Sequence, residues 1–193
     1  MRITHASIAA IAALAVIASA GCGSTQEEES GNGAPETAAP AASGKLPRPL
    51  AENREQANEI IEGAEEALDE KLAELRGYPV VVNQWGSWCP PCEAEFPWFA
   101  ESAEAHAGEV AFLGIDMSDD LDAAQQFLED HPVSYPHIFD PDAAAITSLG
   151  GGQVSPTTVF LDEKGEVLHV RPGQYAGPDE LEADIDRYGL VGS

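Results

Sequence analysis

A largely apolar run, Val80-Val81-Val82-Asn83-Gln84-Trp85, leads through Gly86-Ser87 into Trp88-Cys89-Pro90-Pro91-Cys92, and this segment constrains the chain more than any other. The run reads as a central strand buried on both faces, and the turn after it opens a helix. Two thiols spaced by two residues at a helix start close into a disulfide without tearing the backbone. The helix N-terminus favours negative charge. A free cysteine with a pKa of about 8.5 is mostly protonated at neutral pH, so this placement raises the reactivity of Cys89 as a thiolate. Cys92 is then placed to attack a mixed disulfide formed at Cys89 and to release the partner.

Half of a zinc site is the competing reading, and it needs a second cysteine pair or histidines at ligand spacing. The third cysteine is Cys22, and His5, His106, His131, His137 and His169 are scattered without a His-x-x-x-His pair. Two prolines within the turn and a tryptophan before it suit a redox turn better than a zinc knuckle. No metal and no organic cofactor are expected; the redox-active group is the Cys89–Cys92 disulfide itself.

The N-terminus carries a different signal. Arg2 is followed by an apolar run from Ile8 to Ala20, too short to span a membrane stably but suited to a signal-peptide core. Ser19-Ala20-Gly21-Cys22 resembles the bacterial lipoprotein cleavage box, in which the cysteine is lipidated and becomes the first mature residue. Ser19 departs from the leucine often found three positions before that cysteine. An ordinary secretory signal with Cys22 incidental is the alternative. Residues 1–21 are expected to be a lipoprotein signal peptide and Cys22 the lipidation site, which leaves Cys89 and Cys92 as the remaining pair. Acyl chains contribute about 0.8 kcal/mol per buried methylene, enough when several are present to hold the protein at a bacterial cell membrane, on its extracytoplasmic side.

The formal charge of −25, from 34 acidic against 9 basic residues, repels phosphate backbones, so nucleic acid is not an expected partner. Residues 22–49 form a disordered tether in this reading, because Ser24 to Pro49 is rich in Ala, Pro, Gly, Ser and Glu and holds too little apolar surface to offset its ordering entropy.

From Leu50 the pattern changes. Ile60, Ala64, Leu68, Leu72 and Leu75 recur at helical spacing, with Gly63 dividing a short extended piece from a helix that ends before Gly77-Tyr78-Pro79. The helix opened by the cysteine turn runs to about His106, with Pro97 placed to kink it. Val110 to Ile115 is a second buried strand. The acidic run Asp116 to Asp122 lacks the glycine and distal Glu of a calcium loop and reads as a helix start capped by Ser118. A loop is expected around Tyr135-Pro136-His137, then a short helix from Pro141 to about Leu149. Thr158 to Leu161 and Glu166 to Val170 form a hairpin through Lys164-Gly165, and Pro178-Asp179 opens a final helix carrying Leu181, Ile185 and Tyr188. The order predicts an α/β protein with a mixed central sheet and helices on both faces.

Asn83 to Cys92 with Glu95-Phe96-Pro97 resembles the active-site segment of the TlpA/ResA-like thioredoxin-fold oxidoreductases, and Ser155-Pro156-Thr157-Thr158-Val159-Phe160-Leu161-Asp162 with Lys164-Gly165 resembles that family's second signature. The resemblance covers roughly Glu59 to Leu190. It implies a thioredoxin fold with a helical insertion over residues 50–193, Cys89 as attacking thiol and Cys92 as resolving thiol. It implies a cis bond between Ser155 and Pro156, beside which an extended substrate strand would pair with exposed backbone. Glu95 lies one helical turn beyond Cys92, at the position of an acid in the ResA-like members, while Asn83 stands where thioredoxins proper have a buried aspartate. Glu95 is therefore the candidate to take a proton from Cys92. Glu93, where relatives often carry Lys or Arg, and Ser155, in place of a common threonine, both bear on the redox poise.

Trp85 alternates into the sheet and is expected in the core, whereas Trp88 is expected beside an exposed disulfide, where it shapes docking. Trp88, Pro90, Pro91, Ser155 and Pro156 are the expected substrate-binding surface. The resulting expectation is a tethered extracytoplasmic thiol–disulfide oxidoreductase that reduces disulfides of exported client proteins and is itself re-reduced by a membrane electron donor. Members of that family often serve cytochrome c biogenesis. A disulfide-forming oxidase is the alternative within redox chemistry; a soft-metal module holding Cu(I) and a thiol peroxidase are the rivals outside it.

Overall fold

The computed structural model describes residues 45–190. The expected signal peptide, Cys22 and most of the expected tether lie outside the described residues. In chain order the elements are α1 (Arg48–Glu55), β1 (Ile60–Glu62), α2 (Ala64–Glu74), β2 (Val80–Trp85), α3 (Pro90–Ala105), β3 (Ala111–Met117), α4 (Leu121–Asp130), β4 (His137–Asp140), α5 (Ala144–Ser148), β5 (Thr157–Leu161), β6 (Val167–Pro172) and α6 (Pro178–Asp184), the last continuing into a π-helical turn, Ile185–Gly189.

The strands form one mixed sheet in the order β1-β4-β3-β2-β5-β6. β1, β4, β3 and β2 run parallel, and β5 and β6 are added antiparallel. β2 is central, and all six of its residues are buried. Its side chains alternate between two cores, as the strand period of two requires. Val81 and Trp85 join Phe96, Phe99, Phe112, Phe127, Phe160 and Leu181 in one; Val80 and Val82 join Leu68, Leu75, Leu113, Ile115, Ile146 and Leu161 in the other. This is the α/β thioredoxin-like architecture, with helices on both faces of the sheet.

Four local expectations differ from the structure. α1 begins at Arg48, inside the segment assigned to the tether. Its one large apolar anchor, Leu50, is 2% exposed; Asn53 Nδ2 donates to the Phe112 carbonyl at 2.9 Å and Arg54 reaches the Ala103 carbonyl at 3.1 Å and both carboxylate oxygens of Glu104 at 2.7 Å. Helix α4 is capped by Asp120 rather than Ser118: the Asp120 carboxylate accepts the Asp122 and Ala123 amides at 3.1 and 3.3 Å, whereas Ser118 sits at φ 54°. His137 belongs to β4 and not to a loop, because it pairs with Ile60 of β1 on one side and Gly114 of β3 on the other. Trp85 Nε1 donates to His137 Nδ1 at 3.0 Å. Asp140 accepts the Ala145 and Ile146 amides at 3.1 and 2.9 Å, which starts α5 at Ala144 rather than at Pro141.

Gly114 is required where β3 passes β4. A Cβ there would lie 1.9 Å from His137 Nδ1, so the imidazole occupies the space a side chain would fill. No helix among the described residues is long and apolar enough to cross a membrane.

Candidate active site

β2 ends at Trp85 and delivers Gly86-Ser87-Trp88 to the start of α3. Glycine at position 86 makes room for the Trp88 indole, whose nitrogen a Cβ would meet at 2.6 Å. The Ser87 amide and hydroxyl both donate to the Asp119 carboxylate, the hydroxyl at 2.8 Å. Trp88 Nε1 donates to the Met117 carbonyl at 3.3 Å. The β3–α4 junction therefore holds the turn in place from the side.

Cys89 is the N-cap of α3, with proline at the first helical position, where its missing N–H costs nothing. The Cys92 amide donates to Cys89 Sγ at 3.3 Å. The two cysteines are disulfide-bonded with Cα atoms 5.3 Å apart. Contrary to the expected exposed disulfide, Cys89 is 3% and Cys92 1% exposed, because the pair packs into the cluster that holds Trp85 and Phe96. Trp88, at 51% exposed, stands beside it as expected, and Trp85 is fully buried.

The Ser155–Pro156 bond is cis. The loop that carries it is held by a residue the sequence did not single out. Gln84, fully buried on β2, donates from Nε2 to the Val154 carbonyl at 3.0 Å and to Ser155 Oγ at 2.7 Å, and accepts the Gly152 amide at 3.0 Å. Thr157 Oγ1 donates to the same Val154 carbonyl at 2.6 Å. A polar residue inside an apolar strand was the available signal.

Glu95 is fully buried. One carboxylate oxygen accepts the Tyr175 amide and the other has no hydrogen-bond partner. Burial pushes its carboxyl up to about 7, against the opposing pull of the Tyr175 amide and of Arg171. Arg171 lies 3.7 Å over the Tyr175 ring and pairs with Glu180 at 2.8 Å and Asp184 at 3.4 Å. Cys92 and Glu95 stand three apart on α3 and so share a face. Asn83 is buried with its side-chain oxygen unpartnered.

A second buried acid was missed. Asp116, level with Trp85 across the β2–β3 pair, is fully buried, and neither carboxylate oxygen has a partner. Burial first, then the charges of Asp119 and Asp140, push it up to about 8. It opens the acidic run read as a helix start rather than a calcium loop, and neither reading places it inside the sheet. His137 does not compete as a proton carrier: burial pushes it down to about 3, so its neutral ring accepts from Trp85 and carries its proton on Nε2.

Residues 36–185 match the family model described as Redoxin. Over 129 residues the chain is 33% identical to the thiol-disulfide oxidoreductase ResA of Halalkalibacterium halodurans, covering 65% of this chain and 72% of that one. Over 109 residues it is 33% identical to the thiol:disulfide interchange protein DsbE homolog of Paracoccus denitrificans, covering 56% of each. The chain thus spans between about half and three-quarters of the length of these relatives. Among solved structures, a secreted Mycobacterium tuberculosis disulfide oxidoreductase homologous to E. coli DsbE superposes with a TM-score of 0.53 at 28% identity, over 60% of this chain and 85% of that one.

Proposed function

Because the chain belongs to the Redoxin family and is a thiol–disulfide oxidoreductase of the ResA/DsbE type, we propose that it works outside the cytoplasm, tethered through Cys22, as a reductant of client-protein disulfides. The observation that carries this reading is Cys89 capping α3 with its sulfur accepting the Cys92 amide, and a fully buried Glu95 one turn further on.

The reaction is a two-electron exchange. With the pair reduced, the Cys89 thiolate, favoured by the α3 N-terminus, attacks one sulfur of a client disulfide. A Cys89–client disulfide forms, and the first client sulfur leaves as a thiolate that takes up a proton. Cys92 gives its proton to Glu95, attacks Cys89 Sγ and expels the second client thiolate, which is protonated in turn. The client gains two electrons and two protons; the pair becomes the disulfide seen here. A membrane-bound dithiol donor restores it by the same exchange.

The client would lie extended against the backbone beside Pro156, with Trp88, Pro90, Pro91 and Ser155 forming the rest of its contact surface. Clients with a Cys-x-x-Cys-His haem-attachment segment fit this chemistry, since haem attachment needs both thiols reduced. Ser19-Ala20-Gly21-Cys22 supports the tether, and the secreted relative supports an extracytoplasmic site.

The equilibrium reduction potential of the pair, measured on a Cys22→Ser chain, tests the direction. A value near or below about −270 mV is expected for a reductant, and one toward about −120 mV would point to disulfide formation instead. Cys92→Ala should accumulate a mixed disulfide between Cys89 and client. Incorporation of labelled fatty acid, abolished by Cys22→Ala, tests the anchor.

A further inference from the structure

From Gly77 to Glu163 the sequence contains no lysine and no arginine. That stretch builds β2, α3, β3, α4, β4, α5 and β5, and with them most of the end of the sheet where the disulfide sits. Glu93 follows Cys92 directly; its side chain is 57% exposed, with His131 Nε2, 3.6 Å from its carboxylate, as its one ion-pair partner among the described residues. Asp119 grips Ser87, Asp120 and Asp122 stand exposed at the start of α4, and Asp142 is exposed just past the end of β4. All lie at the C-terminal ends of the parallel strands, as the disulfide does.

The described cations lie elsewhere or are neutralised. Arg76 bonds the Lys164 carbonyl in the β5–β6 turn at the opposite pole. Arg54 is clamped to Glu104 at the far end of α3, and Lys71 pairs with Glu74. Arg171, the one described Lys or Arg that reaches the disulfide end, is held by Glu180 and Asp184. The redox pole is therefore a one-sign field, which concentrates partners of opposite charge and speeds their encounter.

The same pole carries an apolar recess. Gly150, Gly151, Gln153, Val154, Thr157, Val170 and Pro172 line a groove of about 320 Å³ beside the cis Pro156. Val154 is 46% exposed at its rim, and Trp88 is exposed on the other flank of the disulfide.

We propose that this face selects an extended, lysine- or arginine-rich client segment that places an apolar side chain in the Val154 groove while its cysteine meets Cys89. The proposal rests on the exchange function assigned above and adds its substrate preference. The anionic field supplies encounter rate and rejection of acidic segments, and the groove fixes the register of the client along the cis-proline loop.

The test uses two disulfide-linked peptides that differ only in flanking Lys or Glu residues, each with Leu or Ala beside the cysteine. Stopped-flow oxidation of the reduced protein should be at least about tenfold faster with the Lys peptide at roughly 20 mM salt. The gap should fall to about twofold at roughly 0.5 M, where charges are screened beyond a few ångströms. Glu93→Lys with Asp142→Lys should narrow the low-salt gap, whereas Lys164→Glu at the opposite pole should not. Leu in place of Ala should speed the Lys peptide several-fold. Equal rates for the two charges, or a gap that salt leaves unchanged, would overturn the proposal while leaving the exchange function intact. Failure to reduce either peptide or glutathione disulfide would overturn the exchange function. The docking preference is then read from fluorescence anisotropy of labelled cysteine-free peptides on the oxidised protein, where the Lys version must bind more tightly or the proposal falls.

Discussion

Glu95→Gln is the perturbation whose consequence the structure sets most narrowly. Burial moves the Glu95 carboxyl from 4.5 to about 7. The folded state therefore keeps a proton that the unfolded chain releases above about pH 4.5, so folding stability falls as pH rises from 4.5 to 7. Each unit of difference is worth about 1.4 kcal/mol where the two states differ by a full proton. Integrated between pH 4.5 and 7 with those two values, this one group costs the wild type about 2.5 kcal/mol. Glutamine keeps an oxygen for the Tyr175 amide but places an NH2 group where the second oxygen has no partner, at a roughly pH-independent cost of about 1–3 kcal/mol. The variant should thus be less stable than wild type at pH 4.5, and the difference should shrink by about 2.5 kcal/mol on going to pH 7. Urea unfolding of both proteins, oxidised, followed by far-ultraviolet circular dichroism across that range, reads the effect. Parallel stability curves would show that the Glu95 carboxyl titrates alike in the folded and unfolded chain, and the argument from burial would fail. The same variant should lose the alkaline-rising step near pH 7 in the resolution of a Cys89–client mixed disulfide.

Asp116→Asn should act with the same sign. With the carboxyl raised from 3.8 to about 8, wild-type stability declines across that window, so the variant's relative stability should grow by about 1.4 kcal/mol per pH unit between them, read by thermal unfolding at pH 5 and 7. A constant difference would refute it. Gly114→Ala drives a methyl group into the His137 ring and should destabilise by about 3 kcal/mol in urea unfolding; with His137→Ala in the same chain the two losses should be non-additive. Gln84→Ala removes the bonds to Gly152, Val154 and Ser155, and should slow client reduction about tenfold while exchange with a small dithiol, which does not use the loop, changes by less than about twofold.

The redox turn was legible because the spacing of Cys89 and Cys92 at a strand-to-helix junction, with tryptophan before it, prolines within it and no further ligands at zinc spacing, admits few chemistries. The hairpin was legible from its strand-like runs and the Lys164-Gly165 turn, and the cis bond before Pro156 from the family resemblance. Buried polar residues were less legible. Gln84, Asp116 and His137 carry ordinary letters, and only the sheet register puts Asp116 opposite Trp85 and His137 over Gly114. Helix α1 escaped notice because a single leucine anchors it and its other ties, from Asn53 and Arg54, reach residues more than forty positions away. A one-dimensional hydrophobic pattern registers neither long-range hydrogen bonds nor a charge whose partner arrives later in the chain. Burial of the disulfide likewise depends on its packing in one cluster with Trp85 and Phe96, which the local motif does not encode.

The attachment of α1 has a mechanical meaning. The chain enters at Leu46, close to Gly108, and is stapled by Arg54 to the C-terminal end of α3, whose other end is the Cys89 cap. Sixteen residues of helix separate the two points by about 24 Å. Traction applied from the N-terminal side is therefore borne by the Arg54–Glu104 staple at the end of α3 and by the Asn53 bond to Phe112 on β3. The disulfide lies at the other end of that helix, packed in one cluster with Phe96 and Phe99, so the load reaches the core before it reaches the redox pair.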